Sequence, residues 1–244
     1  MKKQFFTLSL CLLVYTAFGQ VDAPQKKITN LEPDVWLGIW DEAHSGGQFT
    51  IDTISYDEIP KYLDFRGTVV EALQWNDEKN EHILIQSVTG HFNWKEYYDE
   101  DSTDYMIQDK SELYAYHFQK QKDEQHFTKV WRMYDYNECY GVDWFTGFIP
   151  GATTITDVDK DGISEISIPY VIICRGGMDP GIMNIIMYEG DTQYALAGET
   201  MFCRGEQSYG GTYTQSDNLD KNPKLLHFLM ARWDAHKCED DRLY

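Results

Sequence analysis

Basic side chains are scarce in this chain, which has 21 Lys and Arg residues against 40 Asp and Glu and a formal net charge of −19 at pH 7. A surface with this excess of negative charge repels nucleic acids and anionic lipids, because both are negatively charged themselves. The composition therefore argues against a nucleic acid as a partner. The same charge favours solubility and suits the chain to binding cations.

Signatures of several enzyme classes are absent from the sequence. It contains no G-x-S-x-G nucleophile elbow, no H-E-x-x-H zinc motif, no phosphate-binding P-loop and no dinucleotide-binding glycine pattern. It also lacks C-x-x-C, which argues against a zinc ribbon or a thioredoxin-type site. Carboxylate pairs of the glycosidase kind remain an open alternative, since sequence spacing does not give their separation in space. We therefore assign no catalytic residue and favour a non-enzymatic function.

Long apolar runs are few, and the pronounced one lies at the N-terminus. A basic pair, Lys2-Lys3, precedes an almost continuously apolar stretch over residues 5–14, and Ala17-Phe18-Gly19 supplies the small residues that signal peptidase recognises. The stretch is too short to cross a bilayer, which takes about 20 apolar residues. We therefore predict a signal peptide over residues 1–19 and export to the periplasm, the cell surface or the medium, with no transmembrane segment in the mature chain. A retained membrane anchor is the alternative.

Four cysteines follow the signal segment, at Cys139, Cys174, Cys203 and Cys238. An even number in an oxidising compartment predicts two disulfide bonds, for which three connectivities exist. The simplest pairing joins Cys139 to Cys174, on either side of the acidic loop described below. It leaves Cys203 to pair with Cys238, which would tie the last strand to the C-terminal helix.

Beyond the signal segment the sequence divides into a flexible polar lead-in over residues 20–33 and a single β-rich domain over residues 34–244, with a possible subdivision near 99–111. Stretches of β character occur in pairs around short turn sequences: 67–75 with 82–88, 113–118 with 127–134, and 184–188 with 194–202. Three hairpins in series predict a mainly β (α+β) fold built on antiparallel sheet.

One amphipathic helix is predicted near the C-terminus. Asn222 is a good N-cap residue, and Pro223 suits the first helical position because its missing N–H is not needed there. Apolar residues then recur at helical spacing, at Leu226, Leu229, Met230 and Trp233. We expect this stripe to pack against the sheet.

The strongest local signal is the acidic segment Asp157-Val158-Asp159-Lys160-Asp161-Gly162-Ile163-Ser164-Glu165. Calcium takes six to eight oxygen ligands at about 2.3–2.6 Å, and alternating carboxylates in a tight loop converge on one point. The ligands we predict are the side chains of Asp157, Asp159, Asp161 and Glu165 and the backbone carbonyl of Ile163, whose side chain would enter the core. Gly162 permits the sharp turn that this requires.

We expect a structural rather than a catalytic role for this calcium ion, because every ligand is used in holding the loop. Its affinity would lie in the weak range of extracellular modules, on the order of 10⁻⁴–10⁻³ M. The alternative is an acidic Asp-Gly turn that binds no cation tightly.

The loop is not an EF-hand, because Ile168 stands where that motif needs a bidentate Glu, and stretches of strand character flank the loop at 152–156 and 166–173. It resembles the calcium loops of integrin-type FG-GAP repeats, with Phe148 and Gly151 at suitable positions and Glu165 in place of the usual Asp. The sequence carries one copy only, so the resemblance does not imply a multi-bladed propeller.

A wider resemblance covers residues 155–198. Beyond the acidic loop it rests on Cys174-Arg175-Gly176, Asp179-Pro180, Met187-Tyr188-Glu189 and the Tyr-Ala-Leu-Ala-Gly sequence at 194–198. This half of the chain resembles a family of exported proteins of Gram-negative bacteria labelled surface polysaccharide biosynthesis. The resemblance implies a role in making or displaying surface glycan, with the glycan or envelope proteins as partners, and it implies no catalytic residues.

Two rival functions stay open beside a calcium-stabilised, non-enzymatic envelope protein. In a glycan-binding module, Trp36, Trp40 or Trp94 would stack on sugar rings, whereas in the simpler account these aromatic side chains belong to the core. The third alternative is an enzyme that acts on surface polysaccharide.

Overall fold

The computed structural model describes residues 49–99, 101, 103–139, 143–203 and 208–239. The predicted signal peptide and lead-in lie outside these residues, as do Trp36 and Trp40. No helix in the described part of the chain is long and apolar enough to cross a membrane.

The first half of the described chain forms one antiparallel sheet. Its strands are β1 (Ile51–Thr53), β2 (Thr68–Asn76), β3 (Asn80–Val88), β4 (Phe92–Tyr97), β5 (Tyr105–Gln121) and β6 (Thr128–Glu138). They are ordered β1-β2-β3-β5, with β6 on the other edge of β5. β3 and β4 follow each other along the same edge of β5, because Val88 pairs with Leu113 and Phe92 with Lys110.

The second half forms another antiparallel sheet, a small third sheet and the helix. The remaining elements are β7 (Asp143–Phe148), β8 (Thr154–Thr156), β9 (Glu165–Arg175), β10 (Ile182–Glu189), β11 (Thr192–Glu199), β12 (Met201–Phe202), β13 (Tyr209–Gly210), β14 (Tyr213–Gln215), α1 (Pro223–His236) and β15 (Cys238–Glu239). The second sheet has the order β14-β11-β10-β9, with β7 and β8 both paired to β9, and the small sheet has the order β13-β12-β15. All three predicted hairpins are confirmed, as is the mainly β fold with its C-terminal helix.

The two large sheets pack face to face as a sandwich. Their inner faces share one apolar cluster, which includes Leu73, Leu84 and Leu113 from the first sheet and Ile166, Ile168 and Ile186 from the second. A helix or a loop covers each outer face: α1 packs on the second sheet, and Ile59 and Leu63, from the segment before β2, pack on the first. Each sheet therefore buries apolar side chains on both faces.

The helix buries a slightly different stripe from the predicted one. Leu225, Leu229 and Trp233 are fully buried, whereas Met230 is 39% exposed. Each helical residue advances about 100° around the axis, so Met230 is turned well away from the line that runs through Leu225, Leu229 and Trp233. The prediction that Met230 belongs to the buried stripe is therefore wrong.

Two disulfide bonds join the elements in the simplest predicted pairing. Cys139 bonds to Cys174, which links the end of β6 to β9, and Cys203 bonds to Cys238, which links β12 to β15. Beside the second bond, the Arg175 guanidinium donates to the Glu239 carboxylate, with Nη2 to Oε2 at 2.8 Å. The C-terminal strand β15 is thus held by a covalent bond and a buried ion pair.

Candidate metal centre

The acidic loop joins β8 to β9, strand to strand, as its flanking sequences predict. Its carboxylates fold back onto the loop: Asp157 accepts hydrogen bonds from the backbone N–H groups of Asp161, at 3.0 Å, and Gly162, at 3.2 Å. Gly162 has φ of +87°, a left-handed conformation that favours glycine. The Asp161 carboxylate in turn accepts a hydrogen bond from the Ile163 backbone N–H at 2.7 Å. The carboxylates of Asp157 and Asp161 are consequently both held by the backbone of the turn.

Glu165, at the first position of β9, is the most buried acid of the group, with no exposed surface. Its carboxylate accepts hydrogen bonds from the Thr156 hydroxyl at 2.9 Å and from the Val158 backbone N–H at 2.8 Å. Burial is the main cause that raises the pKa of Glu165 to about 7. A nearby cation would counter that effect, since opposite charge favours the ionised form of a carboxylate.

Glu189 joins the site from the end of β10, and the sequence reasoning did not identify it as part of the site. In the β9–β10 ladder it stands directly opposite Glu165. Its Oε2 accepts a hydrogen bond from the Tyr194 hydroxyl at 3.1 Å, and its buried Oε1 has no hydrogen-bond partner in the described part of the chain. The pKa of Glu189 is raised, chiefly by burial and further by Asp159 and Asp161.

The acids form two overlapping groups that share Asp159. One group contains Asp157, Asp159 and Glu165, the other Asp159, Asp161 and Glu189, and within each group the ligand oxygens lie within 4.8 Å of one another. Two oxygens that each lie about 2.4 Å from one calcium ion are at most about 4.8 Å apart. Each group is therefore compact enough for its three carboxylates to contact a single ion.

Ile163 does not behave as predicted. Its side chain is 46% exposed, so the prediction that it enters the core is wrong. The reason is that β9 begins only at Glu165, and Ser164 turns inward instead, where its Oγ accepts a hydrogen bond from Trp75 Nε1 at 3.3 Å. The role of the Ile163 carbonyl as a ligand stays a prediction.

A positively charged side chain of the helix α1 contacts the acidic loop. Lys224, in the first turn of α1, donates from Nζ to the backbone carbonyl of Asp159 at 3.1 Å. Four structural elements therefore meet here: β8 and β9 at the two ends of the loop, β10 through Glu189, and α1 through Lys224. A cation bound by the carboxylates would connect the loop with β9 and β10, whereas α1 is joined to the loop by Lys224 itself.

Of the three glycan-stacking candidates, Trp94 is the one that lies among the described residues. Trp94 lies half-buried on β4, and the Lys110 ammonium is 5.3 Å from the centroid of its ring. Trp36 and Trp40 lie outside the described residues. Stacking of a sugar on any of the three stays a prediction.

No protein-family model, curated protein or solved structure matches this chain. The resemblances to a surface-polysaccharide family and to FG-GAP loops therefore rest on the residues quoted for them alone.

Proposed function

We propose that this chain is an exported, non-enzymatic protein of the bacterial envelope or cell surface whose sandwich is stabilised by a calcium ion at the acidic loop. The observation that carries the proposal is the convergence of five carboxylates. They belong to Asp157, Asp159, Asp161, Glu165 and Glu189, in two groups with ligand oxygens within 4.8 Å.

Electrostatics supports the presence of a cation. Beyond the effect of burial, repulsion from Asp159 raises the pKa of both Glu165 and Glu189. The Lys224 ammonium nearby donates its hydrogen bond to the backbone carbonyl of Asp159. A divalent ion would offset the repulsion among the carboxylates and complete the coordination that hard cations require.

Export is supported by two features that do not depend on the loop. The sequence over residues 1–19 has the pattern of a signal peptide, and two disulfide bonds suit an oxidising compartment. Calcium of millimolar concentration occurs outside the cytoplasm, which matches a weak structural site. The connection with surface polysaccharide rests on the family resemblance alone.

Thermal unfolding with calcium and with a chelator tests the proposal. At ten times Kd, calcium would stabilise the folded state by about 1.4 kcal/mol, which corresponds to a few degrees in Tm. Asp159→Asn removes the carboxylate shared by both groups and should abolish this shift, whereas Asp191→Asn, in the exposed turn after Glu189, should keep it. An identical Tm in 5 mM calcium and in excess chelator would refute calcium stabilisation.

A further inference from the structure

Arg232 is a partly buried arginine that forms no ion pair with an acid among the described residues. It lies on α1 next to the buried stripe, one position before Trp233, and its Nη2 donates to the backbone carbonyl of Ala152 at 2.5 Å. Its Nε is buried and has no hydrogen-bond partner in the part of the chain that the structure describes. Burial lowers the pKa of Arg232, because the charged form loses hydration. Charged side chains are rarely buried unless they are paired, so this guanidinium is suited to an anionic ligand.

Two hydroxyl groups on the neighbouring strands also lack partners within the described chain. Thr154 on β8 and Ser167 on β9 stand directly opposite each other, and the Oγ1 of Thr154 and the Oγ of Ser167 are both buried. Hydroxyls in such a cross-strand pair commonly bond to each other, and these two do not. Ser167 has no exposed surface. Both hydroxyls can therefore donate to a third group.

The two hydroxyls and Arg232 lie in the layer between α1 and the second sheet. Met187 belongs to the apolar cluster on this side of the sheet, and Ser167 stands opposite Met187 in the β9–β10 ladder. Directly opposite residues of antiparallel strands share a face, so Ser167 and its β8 partner Thr154 face α1 as well. Ala152, whose carbonyl accepts from Arg232, precedes Thr154 by two residues, or about 7 Å of extended chain. One guanidinium N–H and two hydroxyls are therefore neighbours in this layer.

We propose that a chloride ion binds between α1 and the second sheet, with Arg232 Nε–H and the hydroxyls of Thr154 and Ser167 as its donors. All three groups can donate a hydrogen bond, and the guanidinium supplies a positive charge that an anion offsets. A water molecule would accept the same hydrogen bonds but would leave the guanidinium charge uncompensated. Because Ser167 has no exposed surface, the ligand has to be small, which favours a monatomic anion over phosphate or sulfate.

Glu165 is the next acid along this face, and it is held elsewhere. It stands opposite Thr156, one same-face pair beyond Thr154 and Ser167, and it accepts from the Thr156 hydroxyl and the Val158 backbone N–H at the acidic loop. An ionised Glu165 would oppose a nearby anion, and a cation at the loop would reduce that opposition. The chloride site goes beyond the proposed calcium site, and its tests keep the calcium concentration constant so that the two sites are judged separately.

Thermal unfolding in two sodium salts of equal ionic strength tests the chloride site on the full mature chain. With calcium gluconate constant, the Tm of the wild type should be a few degrees higher in sodium chloride than in sodium gluconate, because chloride binds the folded state. Arg232→Gln removes the charge and should lose this difference, whereas Arg132→Gln, at an exposed position of β6, should keep it. A wild type with the same Tm in both salts, or an Arg232→Gln variant with the full difference, would overturn the proposal.

A second variant and a crystallographic measurement keep the test decisive if Arg232→Gln does not fold. Ser167→Ala removes one donor from an otherwise apolar neighbourhood and should reduce the chloride-dependent rise in Tm. Crystals grown in sodium bromide should show an anomalous scattering peak between Arg232 Nε and the hydroxyls of Thr154 and Ser167. An ordered water at that position without a bromide peak would refute the anion site, and a Ser167→Ala variant with an undiminished rise would contradict the role given to Ser167.

Discussion

Glu165 and Glu189 stand directly opposite each other in the β9–β10 ladder, at the end of the second sheet where the acidic loop begins. Both belong to the face of the sheet that carries Val171 and Ile185 and packs against α1. The pairing brings Glu189 to the acidic loop, where its carboxylate groups with those of Asp159 and Asp161. The ladder thus links the loop, which the sequence identifies as acidic, to a strand that lies far from it in sequence.

Replacing one of these acids separates the effect of repulsion from the effect of binding. In chelator, Glu189→Gln should stabilise the fold by about 0.2–1 kcal/mol, because it removes a partly buried carboxylate that Asp159 and Asp161 repel. With calcium present, the same variant should gain less stability than the wild type, because a ligand has been lost. Urea unfolding in both conditions measures the two effects. If Glu189→Gln gained as much from calcium as the wild type, Glu189 would not be a ligand.

The contrast between Glu189 and the loop acids indicates what sequence can reveal about this site. Asp157, Asp159, Asp161 and Glu165 are local in sequence, so their spacing alone predicts that they lie near one another. Glu189 reaches them only through the register of β9 on β10, which pairs it with Glu165. A long-range pairing of this kind depends on packing of the whole sheet.

The fold follows the same division between local and long-range determinants. Turn residues and alternating apolar positions predict the three hairpins, because a hairpin is made by neighbouring residues. The packing of the first sheet on the second, which joins Leu84 to Ile166 in one cluster, has no local signal. The prediction for the Ile163 side chain is wrong for a related reason: the point at which β9 begins depends on its pairing with β8 and β10.

We expect the folded protein to lose stability in mild acid, because His117 is buried. His117 lies between the sheets, where Nε2 is 3.0 Å from His82 Nδ1, and His82 Nε2 is 2.9 Å from Asp77 Oδ2. Trp75 stacks on His82, and Trp131 lies against His117. Burial is the main cause that lowers the pKa of His117 to about 3 from an ordinary 6.5. A proton on His117 Nδ1 would have no hydrogen-bond partner in the described part of the chain.

The sign of this effect follows from proton binding. Below pH 6.5 the unfolded chain takes up a proton at His117, whereas the folded chain does so only near pH 3, so stability falls as the pH drops through this window. His117 lowers the free energy of unfolding by at most about 1.4 kcal/mol per pH unit in this window. Urea unfolding at pH 7.0, 5.5 and 4.5 should give a shallower decline for His117→Gln than for the wild type. His227→Gln, at an exposed position of α1, should keep the wild-type slope. Equal slopes in all three proteins would contradict this origin of acid sensitivity.

The disulfide bonds should differ little in their contribution to stability, because they close loops of equal length. Cys139–Cys174 and Cys203–Cys238 each span a sequence separation of 35. Replacing either pair by Ser should cost roughly 2–4 kcal/mol, since the unfolded chain gains conformational freedom. Urea unfolding of the two double variants measures this cost. A loss below about 1 kcal/mol for either pair would indicate that the bond contributes little beyond the contacts around it.

The Arg175–Glu239 ion pair, beside Cys203–Cys238, should contribute more to the stability of the fold than ion pairs at the surface do. The side chains of Arg175 and Glu239 are only 5% and 2% exposed, and Glu239 also accepts from the Gly181 backbone N–H at 3.2 Å. Glu239→Gln removes the closer of the two carboxylates beside the buried guanidinium and leaves Asp143, whose Oδ2 lies 3.6 Å from Arg175 Nε. Breaking a buried ion pair typically costs about 3–5 kcal/mol. Glu81→Gln removes the partner of Lys120 from a more exposed pair and should cost at most about 1 kcal/mol. Denaturant unfolding compares the two variants, and equal costs would mean that burial of the Arg175–Glu239 pair does not govern its contribution.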